Sequence, residues 1–289
     1  MLKSIRSRQI AVTGAIVLLV AFLFSRDIKG LVKPKEENSS SAAAGQMMSE
    51  SAVQEISLSE VSNIGKNTIS AGLSAEITSL ENAYNAAADN EKIDAARLLA
   101  QKWDDLEQAI PSALYLEIVA KGLPTLPNWL KAGDMFLKAF ENSRDSILQP
   151  ALLQHANLAY TNALSIDSAD ADAKTGAGIT IVNGMGAPMQ GIAMLLDVVK
   201  QDPKNLKANM SLGTFAIKSG QFDKAITRFN DIIAIKPSPD AYFYLATAYE
   251  NLGKNTEAIA AYLKSKELAA NPTLSKFIDG KVLELKNKI

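Results

Sequence analysis

The stretch LGTFAIKSGQFDKAITRFNDIIAIKP, Leu212 to Pro237, decides the fold once it is laid over LATAYENLGKNTEAIAAYLKSKELAA, which starts 33 residues later at Leu245. Gly213 meets Ala246, Gly220 meets Gly253, Ala225 meets Ala258 and Phe229 meets Tyr262. Small residues return where two antiparallel helices must touch. Rings return where the next unit must be packed. A period of this kind marks a solenoid, in which each unit buries its apolar face against its neighbours.

The Leu-Gly pair, the Ala-x-x-x-Phe spacing and the closing proline, at Leu212, Gly213, Ala225, Phe229 and Pro237, resemble the tetratricopeptide repeat, a helix–turn–helix unit of about 34 residues. Further units are expected upstream. WLKAGDMF carries Trp129, Gly133 and Phe136 at the spacing of the repeat's opening Trp, Gly and Tyr, with Ala132 in place of Leu. Its second helix is ANLAYTNALSID, with Ala156, Tyr160 and Ala163, after an insertion around Glu141 to Pro150. A degenerate unit holds Ala100, Trp103, Ser112 and Leu116. The resemblance covers residues 93–289 and implies an all-α, right-handed superhelical solenoid. Its units fall at about 93–125, 126–171, 172–205, 206–238 and 239–272. A capping helix over 273–289 puts Leu274, Phe277, Ile278, Val282 and Leu285 on one face. The stretch is also similar to membrane-anchored tetratricopeptide proteins of Gram-negative bacteria.

NGMGAPMQG, residues 183–191, has the look of a phosphate cradle. A dinucleotide loop requires G-x-G-x-x-G directly after a strand, but Met189 stands at the third glycine's place and a helix is expected before it. GAG at Gly176–Gly178 fails likewise, with Ile181 in that place. The loop reads as the turn inside the middle unit. Gly184 and Gly186 allow left-handed backbone there, Pro188 opens the second helix, and Gly178 and Gly191 permit close helix contact.

Thirty basic residues balance 31 acidic ones, so no global nucleic-acid footprint is present. The absence of cysteine excludes disulfides, thiolate metal sites, cysteine nucleophiles and a lipid-modified N-terminal cysteine. The basic tail of residues 1–9 precedes an uncharged run from Ile10 to Phe24, and residues 10–25 are expected as a transmembrane signal-anchor in contact with the lipid bilayer. The run is short, but Arg8 and Arg26 can extend it by snorkelling. No small-x-small cut site follows. Basic residues flank both sides, and a short basic tail usually stays in the cytoplasm. The expected location is therefore a bacterial inner membrane, crossed once, with the bulk of the chain in the periplasm and a cytoplasm-facing domain as the alternative. Residues 26–72 are expected as a flexible tether and 73–92 as a helical lead-in whose stripe is Leu73, Ile77, Leu80 and Tyr84.

No catalytic constellation stands out, and no enzyme, cofactor or metal is expected. His155 reads as a lone surface histidine without nucleophile or acid. DSADADAK, Asp167–Lys174, lacks the glycine and distal glutamate of a calcium loop, so its acids read as caps at a helix start. The family resemblance implies a concave groove lined by the first helix of each unit, which grips a protein or peptide. The expected groove residues are Lys131, Asp134, Met210, Thr214, Lys218, Phe243, Tyr244 and Thr247, with Arg97, Gln101 and Lys138 beside them. Phe243 and Tyr244 are equally placed to pack on the capping helix. Met210 and Ser211 occupy places where a chaperone-carboxylate clamp would need charge or amide. The leading reading is a membrane-tethered adaptor. An assembly factor in cytochrome c maturation and a self-association module, pairing through residues 73–90, stand beside it.

Overall fold

The computed structural model describes residues 53–289. Among these the chain forms thirteen α-helices and no strand. In chain order they are α1 (Leu58–Thr68), α2 (Ala71–Ala86), α3 (Asp89–Asp105), α4 (Ala109–Gly122), α5 (Leu126–Asn142), α6 (Leu148–Ile166), α7 (Ala171–Gly184), α8 (Pro188–Gln201), α9 (Leu206–Lys218), α10 (Phe222–Ile235), α11 (Pro239–Asn251), α12 (Asn255–Leu268) and α13 (Pro272–Lys286). From α2 onward each helix packs on the next, and α5 with α7, α7 with α9 and α9 with α11 also touch. First helices thus lie against first helices, as a solenoid requires.

The starts of these helices are written in the sequence. Asn205, Ser238 and Asn271 each accept the amide of the residue three further on, and proline stands in the first turn of α11 and α13. Each side-chain cap is worth on the order of 1 kcal/mol. Helices α9 and α10 recur as α11 and α12 at a shift of 33 residues, with the same lengths. Their turns match too. Gly220 has φ 74° and Gly253 φ 70°, and the following amides, of Gln221 and Lys254, reach back to Ala216 and Tyr249.

Rings packed on small residues hold the units together. A Cβ on Gly213 would come within 2.7 Å of Phe229 Cζ, so α9 and α10 approach where no side chain fits. In the preceding units Tyr160 of α6 plays this part twice. A Cβ on Gly133 of α5 would lie 2.8 Å from its ring and one on Gly176 of α7 only 2.1 Å. Gly178 and Gly191 do bring α7 and α8 together, each Cβ position meeting the other's carbonyl. The turn between those helices holds Gly186 at φ 74°, and Pro188 opens α8.

Several expectations need correction. Gly184 does not supply left-handed backbone. It ends α7 helically, and its missing side chain leaves room for Leu153, whose Cδ1 would be 2.7 Å from a Cβ. The extra residues around 141–150 are no inserted loop: α5 and α6 are 17 and 19 residues long and absorb them, leaving 143–147 as the connection. Part of the expected tether is helix α1, which Ser57 caps and which lies on Trp103 because Gly65 has no side chain. The anchor expected at 10–25, the tail before it and the tether up to residue 52 lie outside the described residues. Among those described, no helix is long and apolar enough to cross a membrane.

Candidate functional site

The first helices α9 and α11 carry the centre of the expected groove. Met210, Thr214, Phe243, Tyr244 and Thr247 are all half-buried. Phe243 contacts both Tyr262 of α12, at 5.6 Å between ring centres, and Phe277 of the capping helix, at 6.0 Å. Tyr244 turns the other way and stacks on Phe229 of α10, at 5.6 Å and 17°. The two neighbours in sequence therefore divide the alternatives. Phe243 serves the cap, while Tyr244 packs on the second helix of the preceding unit, and the two rings meet edge to face at 5.9 Å. Burial, then the charges of Asp240 and Glu141, raise the Tyr244 hydroxyl's pKa, so it remains a neutral donor and acceptor.

Thr214 and Thr247 spend their hydroxyl protons on helix carbonyls, of Ser211 at 3.0 Å and Phe243 at 3.0 Å. Lys218 is exposed; its ammonium lies 3.3 Å from Asn183 Oδ1 on α7 and 5.5 Å from the centre of the Phe215 ring. Lys131 is exposed on α5. Asp134, also exposed, is engaged: it accepts the Tyr160 hydroxyl at 2.7 Å and Lys207 Nζ at 2.6 Å. The Lys207 bond joins α5 to α9 past the intervening α7. Lys138 likewise reaches back to Asp104 on α3, at 2.6 Å. Arg97 and Gln101 pair locally, with Asp94 and Asp105.

Sequence reasoning missed Lys207, Asn183 and Glu141 on this face. Lys207 was within reach of it: residues 207, 211, 214 and 218 share one side of a helix. Asn183 belongs to the middle unit, whose weak consensus gave no register for its first helix. The described residues also form an open pocket of about 300 Å³ near the N-terminal end, lined by Ser62, Asn63, Lys66, Glu81, Tyr84 and Tyr115 among others. Lys66 and Ser62 both bond Glu81 there. It escaped notice because its α1 wall was read as unstructured.

His155 is not a surface residue. It is 8% exposed, with one ring nitrogen 3.0 Å from Glu117 Oε1, the other 3.1 Å from the Gln54 carbonyl, and Phe136 stacked on its face. Of the acids of DSADADAK, Asp170 caps α7 by accepting the Ala173 amide at 2.7 Å, while Asp167 tightens the loop before it by accepting that of Ala169 at 2.9 Å. Among the described residues no three His, Asp or Glu side chains gather as a metal site would need.

The tetratricopeptide repeat family model matches residues 212–273. No curated protein sequence matches the chain. Among solved structures, a tetratricopeptide repeat protein from Parabacteroides merdae aligns at a TM-score of 0.56 and 14% identity, over 80% of this chain and 87% of that one. MamA aligns at 0.44 and 22% identity, over 62% and 92%. YrrB, described as a tetratricopeptide protein with an unusual peptide-binding site, aligns at 0.43 and 14%, over 68% and 98%. The Parabacteroides likeness concerns the fold alone.

Proposed function

We propose that this chain, whose residues 212–273 are tetratricopeptide repeats, is a non-enzymatic scaffold that binds a protein segment along its first helices. Residues 10–25 hold it at a bacterial inner membrane, with the repeats in the periplasm. The observation that carries the binding reading is that Met210 and Tyr244, packed on the same apolar cluster, are only half-buried. Both leave part of their surface to water on the first helices of the two best-matched units. A rigid aromatic ring and a pliable thioether on the first helices of adjoining units suit recognition of an apolar side chain on a partner. Lys131, Asp134, Lys218 and Thr247 form the polar surroundings.

The test uses the full chain as bait for its partner, followed by Tyr244→Ala. Truncating an anchor commonly costs 2 kcal/mol or more, roughly 30-fold in affinity. The expected outcome is that loss, with a smaller drop in melting temperature than Phe229→Ala causes. Undiminished affinity would move the recognition surface elsewhere. For the anchor, the chain should stay with the membrane fraction after an alkaline carbonate wash. Recovery of a mature chain beginning near residue 26 in the soluble fraction would overturn that part. Activity of an alkaline phosphatase fused to the C-terminus checks the orientation.

A further inference from the structure

The segment in front of α1 is strapped to the second helices α4 and α6. The Gln54 amide donates to Gln154 Oε1 at 2.9 Å, and the Gln54 carbonyl lies 3.1 Å from His155 Nε2. Ile56 follows, buried in the same apolar cluster as Phe136 and Leu152. The second ring nitrogen of His155, Nδ1, lies 3.0 Å from Glu117 Oε1, and Glu117 is itself buried.

Counting protons gives this arrangement a consequence. A neutral imidazole donates at one nitrogen and offers a lone pair at the other. The Gln54 carbonyl can only accept, and so can an ionised Glu117. With a neutral ring and a carboxylate, one of the two short contacts would set lone pair against lone pair. Both become hydrogen bonds when the His155–Glu117 pair holds one further proton, on the ring or on the carboxyl. Once the strap leaves, water serves Nε2, and a neutral ring with Nδ1–H aimed at Glu117 suffices.

We propose that the strap Gln54–Ser57 docks with uptake of one proton by the His155–Glu117 pair, which makes it a protonation-gated latch on the segment that leads to residues 1–52. The strap is fastened at acid pH and loosens as pH rises. One proton sets the limit, a tenfold change in the docking equilibrium per pH unit at most. Few groups face the ring, and of them only the Lys121 ammonium opposes the added proton. From α4 come Glu117 and Lys121, whose ammonium is 3.7 Å from Glu117 Oε1. From α5 comes the uncharged Phe136 ring. The strap brings the Gln54 carbonyl and, next in sequence, the exposed Glu55. The latch does not depend on residues 10–25 crossing a membrane.

Amide hydrogen exchange of the full chain, followed from about pH 5 to about pH 8 and corrected for intrinsic exchange, reads the strap directly. Protection of the Gln54 amide should fall with rising pH, by up to tenfold per unit. Glu117→Gln should flatten that slope and leave the strap docked. Its carboxamide N–H can donate to Nδ1 while the ring keeps its proton for Gln54, so no extra proton is needed. A flat profile in the unmodified chain would overturn the latch. So would a slope that survives in Glu117→Gln, or one shared by the amides of α9 to α12, which would report global loosening.

Discussion

The last two helical pairs and the pairs before them solve one packing problem with different regularity. In α9–α10 and α11–α12 the helices have equal lengths, glycines at equal turn positions, and Phe229 and Tyr262 buried at the same place. In α5–α6 the helices are longer, and Tyr160 is enclosed between two glycines of different helices. The α3–α4 turn places Glu107 in the left-handed region, at φ 57°, and the Gln108 amide then reaches back to Trp103 as Gln221 and Lys254 do in their turns. What persists is a large side chain seated on a small residue, with Leu195 in the ring's place between α7 and α8. What varies is helix length and turn chemistry, and a repeat is recognised by those.

If that comparison is right, the largest effect belongs to Tyr160→Ala. It empties a fully buried site shared by α5, α6 and α7 and removes the hydroxyl's hydrogen bond to Asp134. The expected loss is about 3–5 kcal/mol, above that of Phe229→Ala, whose ring has no such hydrogen bond. Paired denaturant titrations check the order, and a smaller loss at Tyr160 would break the claim that it does double duty. Next comes Gly213→Leu, which overpacks the seat of Phe229 at a cost of about 1–3 kcal/mol. Leu at the exposed Lys218 should shift stability by less than about 0.5 kcal/mol. Equal melting shifts for the two would put the repeat register in error. Smaller than the first two, and of opposite sign, is Glu107→Gly. Relief of left-handed strain, about 1–2 kcal/mol, is offset by the freedom glycine gives the unfolded chain, leaving a gain below about 1 kcal/mol. A lower melting temperature would mean that the turn does not match those at Gly220 and Gly253.

The same comparison explains what could be read from residues alone. The helices from Leu206 onward were legible, because caps, turn glycines and ring positions all repeat. So was the role of Gly178 and Gly191, whose small size has one use between two helices. Gly184 and the stretch at 141–150 misled because a glycine near a turn and a break in period both suggest loop, and only neighbouring helices decide otherwise. Helix α1 lacks a periodic partner, and its apolar side is matched to Trp103 by tertiary contact. His155 could not be placed at all from its own surroundings. Its partners lie 38 and 101 residues away, and no local pattern announces them. For the expected groove residues, register gave the helices that carry them but not their ties. Asp134 is held by Tyr160 and Lys207, 26 and 73 residues further along the chain, and local spacing does not announce such partners.

Helix pairs that pack between near neighbours in sequence also set an order of events in time. Such local contacts need little chain closure and form early, pair upon pair. The strap differs. Joining Gln54 to His155 closes 101 residues, which in a flexible chain costs on the order of 4 kcal/mol, so it should wait until the helices between have shortened the path. Seating of Ile56 would then be a late step in folding, a completion signal for the N-terminal half, made after α3 to α6 have built the surface that receives it.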